Sequence, residues 1–138
     1  MKRYELIDHT ADVGIRAFGK NLEELFRNTA VGMFEMMTDL EKVAHKVRQE
    51  IRLEEKNVED LLIRWLQELL YRFSVDRAFY GDFQFTALTE QKLSAVIRGE
   101  KINDQKHTLK KEVKAVTYHG LKVEKTKEGW VGEVIFDI

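Results

Sequence analysis

The chain has 138 residues, no cysteine, no proline, 23 Lys and Arg against 24 Asp and Glu, and a formal net charge of −1. That length fits one domain with a core of its own, and the lack of cysteine excludes disulfide scaffolds, zinc–thiolate sites and thiol nucleophiles. A near-neutral charge argues against a broad basic surface for RNA or DNA, while leaving room for a local basic patch. The opening residues, Met1-Lys2-Arg3-Tyr4-Glu5-Leu6, lack the apolar run of a signal peptide. No stretch approaches the roughly 20 apolar residues of a membrane span. A cytoplasmic location is therefore expected. The Lys/Glu-rich, cysteine-free composition points to a thermophile, although the absence of proline points the other way.

In chain order, residues 3–7 and 13–18 read as two strands flanking an acidic turn, Asp8-His9-Thr10-Ala11-Asp12-Val13-Gly14. Asn21 then caps a helix, with Glu24 at the third helical position in a capping-box-like arrangement. Leu22, Leu25, Phe26, Thr29, Ala30, Met33, Phe34 and Met37 recur at helical spacing and form one apolar stripe, a core face. Gly32 inside the stripe permits close packing. Residues 39–45 connect to an exposed or edge strand over 46–55, where Val47, Ile51 and Leu53 stand among charges.

A second helix starts at Asn57, with Asp60 at the third position, and ends near residues 75–78. Val58, Leu61, Leu62, Trp65, Leu66, Leu69, Leu70 and Phe73 give it an apolar face wide enough for burial on more than one side. The period then changes to two: Phe83, Phe85 and Ala87, then Leu93, Ala95 and Ile97, mark strands. Residues 100–111 read as a long polar loop with some mobility. Strands follow over 113–119, 121–125 and 130–137, with turns at Gly120 and at Glu128-Gly129. The expected fold is a single α+β domain, with two amphipathic helices packed on mainly antiparallel β-sheet.

Three places carry candidate chemistry. In the acidic turn, Asp8, Thr10 and Asp12 would share a face if extended, and oxygen-rich clusters of this kind hold hard divalent cations. In a turn, the same side chains cap backbone amides instead, and His9 reads equally as a packed histidine. At the far end, Asp137 and the main-chain carboxylate of Ile138 would be fixed if the last strand is locked into the sheet; otherwise Asp137 is an ordinary solvated residue. The third place is Lys114-Ala115-Val116-Thr117-Tyr118-His119, where Lys114 would balance a carboxylate cluster or hold a phosphate, and His119 before Gly120 reads as a site residue or a turn residue. Nucleotide-binding glycine loops, a His-Glu-x-x-His helix and a nucleophile elbow are all absent from the sequence.

At these same places the sequence resembles the archease family. The resemblance rests on His9-Thr10-Ala11-Asp12-Val13-Gly14, Trp65-Leu66-Gln67-Glu68-Leu69-Leu70-Tyr71, Lys114-Ala115-Val116-Thr117-Tyr118-His119 and the terminal Asp137-Ile138, in that order along essentially the whole chain. It implies an archease-like fold and a protein that is not itself an enzyme. It implies an accessory role for the RNA ligase RtcB in tRNA splicing and RNA repair, promoting guanylylation of the ligase and multiple turnover and broadening its use of nucleotides. The tRNA would be met only through the ligase. The resemblance also implies a metal site, calcium in the family, formed by Asp12, Asp137 and the carboxylate oxygen of Ile138, and an activating role for Lys114. Asp8, His9 and His119 are weaker candidates. Two other readings remain: a partner-free metal-dependent phosphohydrolase using Asp8, His9, Asp12 and Asp137, and a chaperone-like interaction module.

Overall fold

A computed structural model describes the chain from residue 2 to residue 138, except residues 9–11 and the side chain of Asp8. Seven strands and two helices follow in the order β1 (Tyr4–Asp8), β2 (Asp12–Gly19), α1 (Leu22–Met37), β3 (Val47–Glu54), α2 (Val58–Asp76), β4 (Ala78–Leu88), β5 (Lys92–Lys101), β6 (Ala115–Thr126) and β7 (Gly129–Asp137). A short 3-10 turn at Leu40–Lys42 lies between α1 and β3. The strands form two antiparallel sheets. One has the order β1-β2-β7-β6 and the other β3-β5-β4.

Both helices pack against both sheets: α1 lies on β1, β2 and β7 of one and β4 of the other, and α2 lies on β6 and on β3, β4 and β5. The helices are thus the middle layer of the domain, which is why the apolar face of α2 is so wide. Their start signals work as the sequence implies. The Asn21 side chain accepts the Glu24 N–H at 2.9 Å, and the Asn57 side chain accepts the Asp60 N–H at 2.8 Å. Gly32 is required by its neighbours: a Cβ there would lie 2.9 Å from Ile15 Cδ1 and 3.2 Å from the Tyr4 ring.

One side-chain bond ties the two helices together. Trp65 of α2 is fully buried, and its indole N–H donates to the Phe26 carbonyl of α1 at 3.0 Å. Its ring packs on Phe83 and Phe85 of β4, and Phe34 stacks on Phe83 from the α1 side. Buried aromatic pairs of this kind add to the large area each ring removes from water.

Three expectations change. Strand β4 begins at Ala78, directly after Arg77 ends α2 in the left-handed conformation at φ 51°. Ala78, Phe79 and Tyr80 are all buried, so no polar alternation marks them from sequence. Gly120 is not a turn. β6 runs through it, with an irregular register between Thr117 and Lys122, and Gly120 at φ 65° supplies the positive dihedral of that bulge.

The third change concerns the polar stretch after β5, which is anchored rather than loose. The His107 side chain is fully buried; its Nδ1 accepts the Asn103 N–H at 3.0 Å, so its Nε2 carries the proton donated to Glu100 at 2.8 Å. Glu100 also accepts from Lys106 Nζ and from the Ala44 N–H. Farther along, the Lys110 and Lys111 N–H groups donate to the Met37 and Met36 carbonyls, occupying acceptors that the end of α1 would otherwise leave open. Among the described residues, no helix is long and apolar enough to cross a membrane.

Trp65→Phe should lower the unfolding free energy by about 1–3 kcal/mol, through the lost hydrogen bond and the lost ring volume. Urea denaturation would read this as a lower midpoint at unchanged slope. The Glu100 carboxyl is held at about 2, first by Lys106 and then by the Ala44 amide. A depressed carboxyl gives stability that is complete above its unfolded value and fades as pH falls through the folded one. The stretch after β5 should therefore exchange its amides faster as pH drops from about 4.5 toward 2, after correction for intrinsic rates. Glu100→Gln should show that faster exchange already at neutral pH.

Candidate functional site

Strand register decides which candidate residues meet. In the pairing of β2 with β7, Asp12 lies directly opposite Asp137, and Asp137 in turn lies opposite Ala115 of β6. Asp12, Asp137 and Ala115 thus form one row across three strands. The next row is Asp8, Val13, Phe136 and Val116. Val13, Phe136 and Val116 are buried toward the helices. Alternation puts the Asp12–Asp137 row on the other face, away from them. Asp12 is half-buried and Asp137 exposed.

Asp8 therefore stands in the Val13 row and not in the row of Asp12. His9 and Thr10 lie outside the described residues, as does the Asp8 side chain. The Lys114 N–H donates to the Asp137 carbonyl at 2.7 Å, which extends the ladder by one residue. The Lys114 side chain is exposed and lines a shallow groove with Gln67, Leu70, Tyr71 and Ser74 of α2. Ile138 packs its side chain against the core, which fixes the backbone next to Asp137. His119 lies in the β6 bulge, exposed, beyond the Thr117–Ile135 pair and so outside the carboxylate row.

Electrostatics distinguish this row from the rest of its face. Farther along the same face, Arg16 bridges Glu5 and Glu133, with both contacts at 2.6 Å. The Arg16 guanidinium holds the Glu5 carboxyl below the usual carboxylate range. Neither Asp12 nor Asp137 has a salt-bridge partner among the described residues. Directly opposed like charges on neighbouring strands destabilise a sheet. Between the carboxylate row and the Arg16–Glu133 row, Gly14 and Ile135 keep the face apolar; a Cβ on Gly14 would lie 3.3 Å from Ile7 Cβ.

Among the described residues, no three Asp, Glu, His or Cys side chains gather into a group that could hold a metal ion. Two facing carboxylates and the main-chain oxygens of the last residues are nonetheless an oxygen-only donor set, the kind that suits a hard cation. The residues present fit such an ion in chemistry.

The archease protein family (MTH1598/TM1083), taken as a sequence model, matches residues 4–138. The chain belongs to the archease family. It is 40% identical over 141 residues to the protein archease of Methanosarcina mazei, covering 99% of this chain and 97% of that one. It is likewise 40% identical over 142 residues to the Pyrococcus abyssi protein archease, covering all of both chains. The solution structure of Methanobacterium thermoautotrophicum protein 1598 superposes with a TM-score of 0.79 at 35% identity over the full length of both chains. A Thermotoga maritima crystal structure, described as an archease and possible chaperone, shares the fold with a TM-score of 0.69 at 22% identity, covering 96% and 94% of the two chains. The two-sheet arrangement with central helices is thus the archease fold.

The opposed carboxylates make a direct prediction for this archease. Without added cations, Asp12→Asn should raise the unfolding free energy by about 0.2–1 kcal/mol by removing the repulsion. A thermal melt in chelator at low salt would show it as a small rise in midpoint, and raised salt should shrink the difference.

Proposed function

We propose that the chain is an accessory protein of the RNA ligase RtcB, acting in tRNA splicing and RNA repair rather than catalysing a reaction of its own. In this reading it promotes guanylylation of the ligase and so permits many turnovers, and it broadens the nucleotides the ligase uses. The observation that supports it most is the opposed pair Asp12–Asp137, unpaired with any described cation, at the end of an archease fold where the Lys114 backbone joins the same ladder.

Asp12, Asp137 and a main-chain oxygen of Ile138 would hold a divalent cation, most naturally calcium, given its tolerance of irregular oxygen ligation. Such an ion would supply a positive centre for phosphate oxygens at the junction with the ligase. Asp12 and Asp137 bind and orient on this reading. Lys114, on a flexible stem, offers a point charge to phosphate from the neighbouring groove. A cytoplasmic site of action goes with this role. A thermophilic setting suits the Lys/Glu-rich composition, and the Arg16 and Glu100 ion-pair networks favour it.

A chaperone-like reading has one observation in its favour. Tyr71, Val75, Leu109 and Tyr118 are large apolar side chains more than half exposed. Such a module would bind unfolded clients and tolerate the loss of Asp12.

RNA sealing by the cognate ligase, with substrate in excess, tests the accessory reading. Ligation should pass from about one turnover to many when this protein is added, and Asp12→Ala should abolish that gain while circular dichroism and melting show an intact fold. Unchanged stimulation by Asp12→Ala would sink the assignment of the site. Separately, calcium should raise the melting temperature of the wild type and not that of Asp12→Ala, and chelator should reverse the rise.

A further inference from the structure

The near-neutral total charge conceals an uneven distribution. β2 runs from Asp12, opposite Asp137, to Gly19, opposite Trp130. At the Gly19 end, away from the carboxylate row, Lys2, Arg3, Lys20 and Arg27 line one open cleft of about 510 Å³. Only two acidic residues, Glu24 and Asp82, share that lining. Asp82 is already paired with Arg98 at 3.4 Å, and the Glu24 carboxylate accepts the Lys20 N–H at 3.4 Å at the start of α1.

The cations come from three separate segments, and the backbone fixes each. The Arg3 carbonyl accepts the Phe18 N–H at 2.9 Å, which ties the N-terminal segment to β2. Lys20 sits at the tight passage from β2 into α1, where a Cβ on Gly19 would lie 2.3 Å from the Leu25 nitrogen. Arg27 projects from α1. Its Nε donates to the Phe83 carbonyl at 3.0 Å, and its guanidinium carbon lies 5.6 Å from the centre of the Phe85 ring. The guanidinium plane is thereby locked, while its two terminal nitrogens have no protein partner among the described residues. Lys2 pairs with Glu5 at 3.5 Å, but this lysine is 74% exposed, so the pair is weak and screened.

We propose that this cleft binds the phosphates of a nucleic-acid backbone. A guanidinium held in one plane matches phosphate oxygens in a bidentate manner. Lysines flanking it on separate segments suit successive phosphates along a strand rather than one buried anion. Phe83 lines the cleft but is only 2% exposed, so it offers no ring on which a base or a free nucleotide could stack. Recognition is therefore electrostatic and indifferent to sequence. A direct contact with nucleic acid goes beyond the accessory reading, in which RNA is met only through the ligase.

Fluorescence anisotropy of a labelled single-stranded RNA of about a dozen nucleotides, with the full chain and no ligase, tests the cleft. The absence of ligase keeps the outcome independent of any docking role. Binding should weaken with salt at a log–log slope of about −3, since each neutralised phosphate on a single strand contributes about −0.7. Lys20→Gln combined with Arg27→Gln should cost at least about tenfold in affinity and reduce the slope by about 1.4. Arg3→Gln combined with Lys20→Gln alters only exposed side chains, so it keeps the fold and should weaken binding similarly. The proposal is overturned if either double variant binds RNA like the wild type. It is equally overturned if inorganic phosphate or GTP binds as tightly as the RNA, because the cleft would then be a small-anion site.

Discussion

The antiparallel pairing of β2 with β7 is the constraint on which the rest of the molecule depends. It joins the first hairpin to the last strand and completes the sheet that covers one side of both helices. Its register is set by burial: Val13, Ile15 and Ala17 from one strand and Val134 and Phe136 from the other all face the helices. A slip of one residue would turn that apolar set to solvent and Arg16 and Glu133 inward. The register that satisfies the core is also the register that sets Asp12 opposite Asp137. The core thus stabilises a repulsive pair on the opposite face, and that pair has no other evident structural use.

The helices were legible because their signals are local. The 3.6-residue period and the Asn21 and Asn57 caps need only neighbouring residues, and the side-chain bonds to Glu24 and Asp60 are in place. The alternation over Leu93 to Ile97 likewise found β5. Division into two sheets was not legible, since it depends on which distant strands pair. The anchored stretch after β5 escaped for the same reason. Its polar composition reads as solvated, and only the fold shows His107 buried against Glu100 and Phe79.

The candidate site divides similarly. Asp12, Lys114 and Asp137 stand out by residue type, and the resemblance gives them roles; in the structure Asp12 and Asp137 share one row. The acidic turn taken as an extended strand would have put Asp8 and Asp12 on one face; the hairpin register puts them in different rows. The basic cleft had no linear motif. Lys2 and Arg3, Lys20 and Arg27 lie in three separate stretches of the chain and converge only when the N-terminal segment pairs beside β2.

The β2–β7 ladder also has a kinetic consequence. Arg16 and Glu133, which meet across it, are 117 residues apart in sequence. Closing loops of such length costs conformational entropy, and pairings of high sequence separation slow folding. The β3-β5-β4 sheet pairs residues closer together in the sequence, Val47 with Gly99 at the widest. The carboxylate row exists only in the paired ladder, because Asp12 and Asp137 acquire their proximity when β7 docks on β2. Any partner that reads this row therefore reads the β2–β7 register as well.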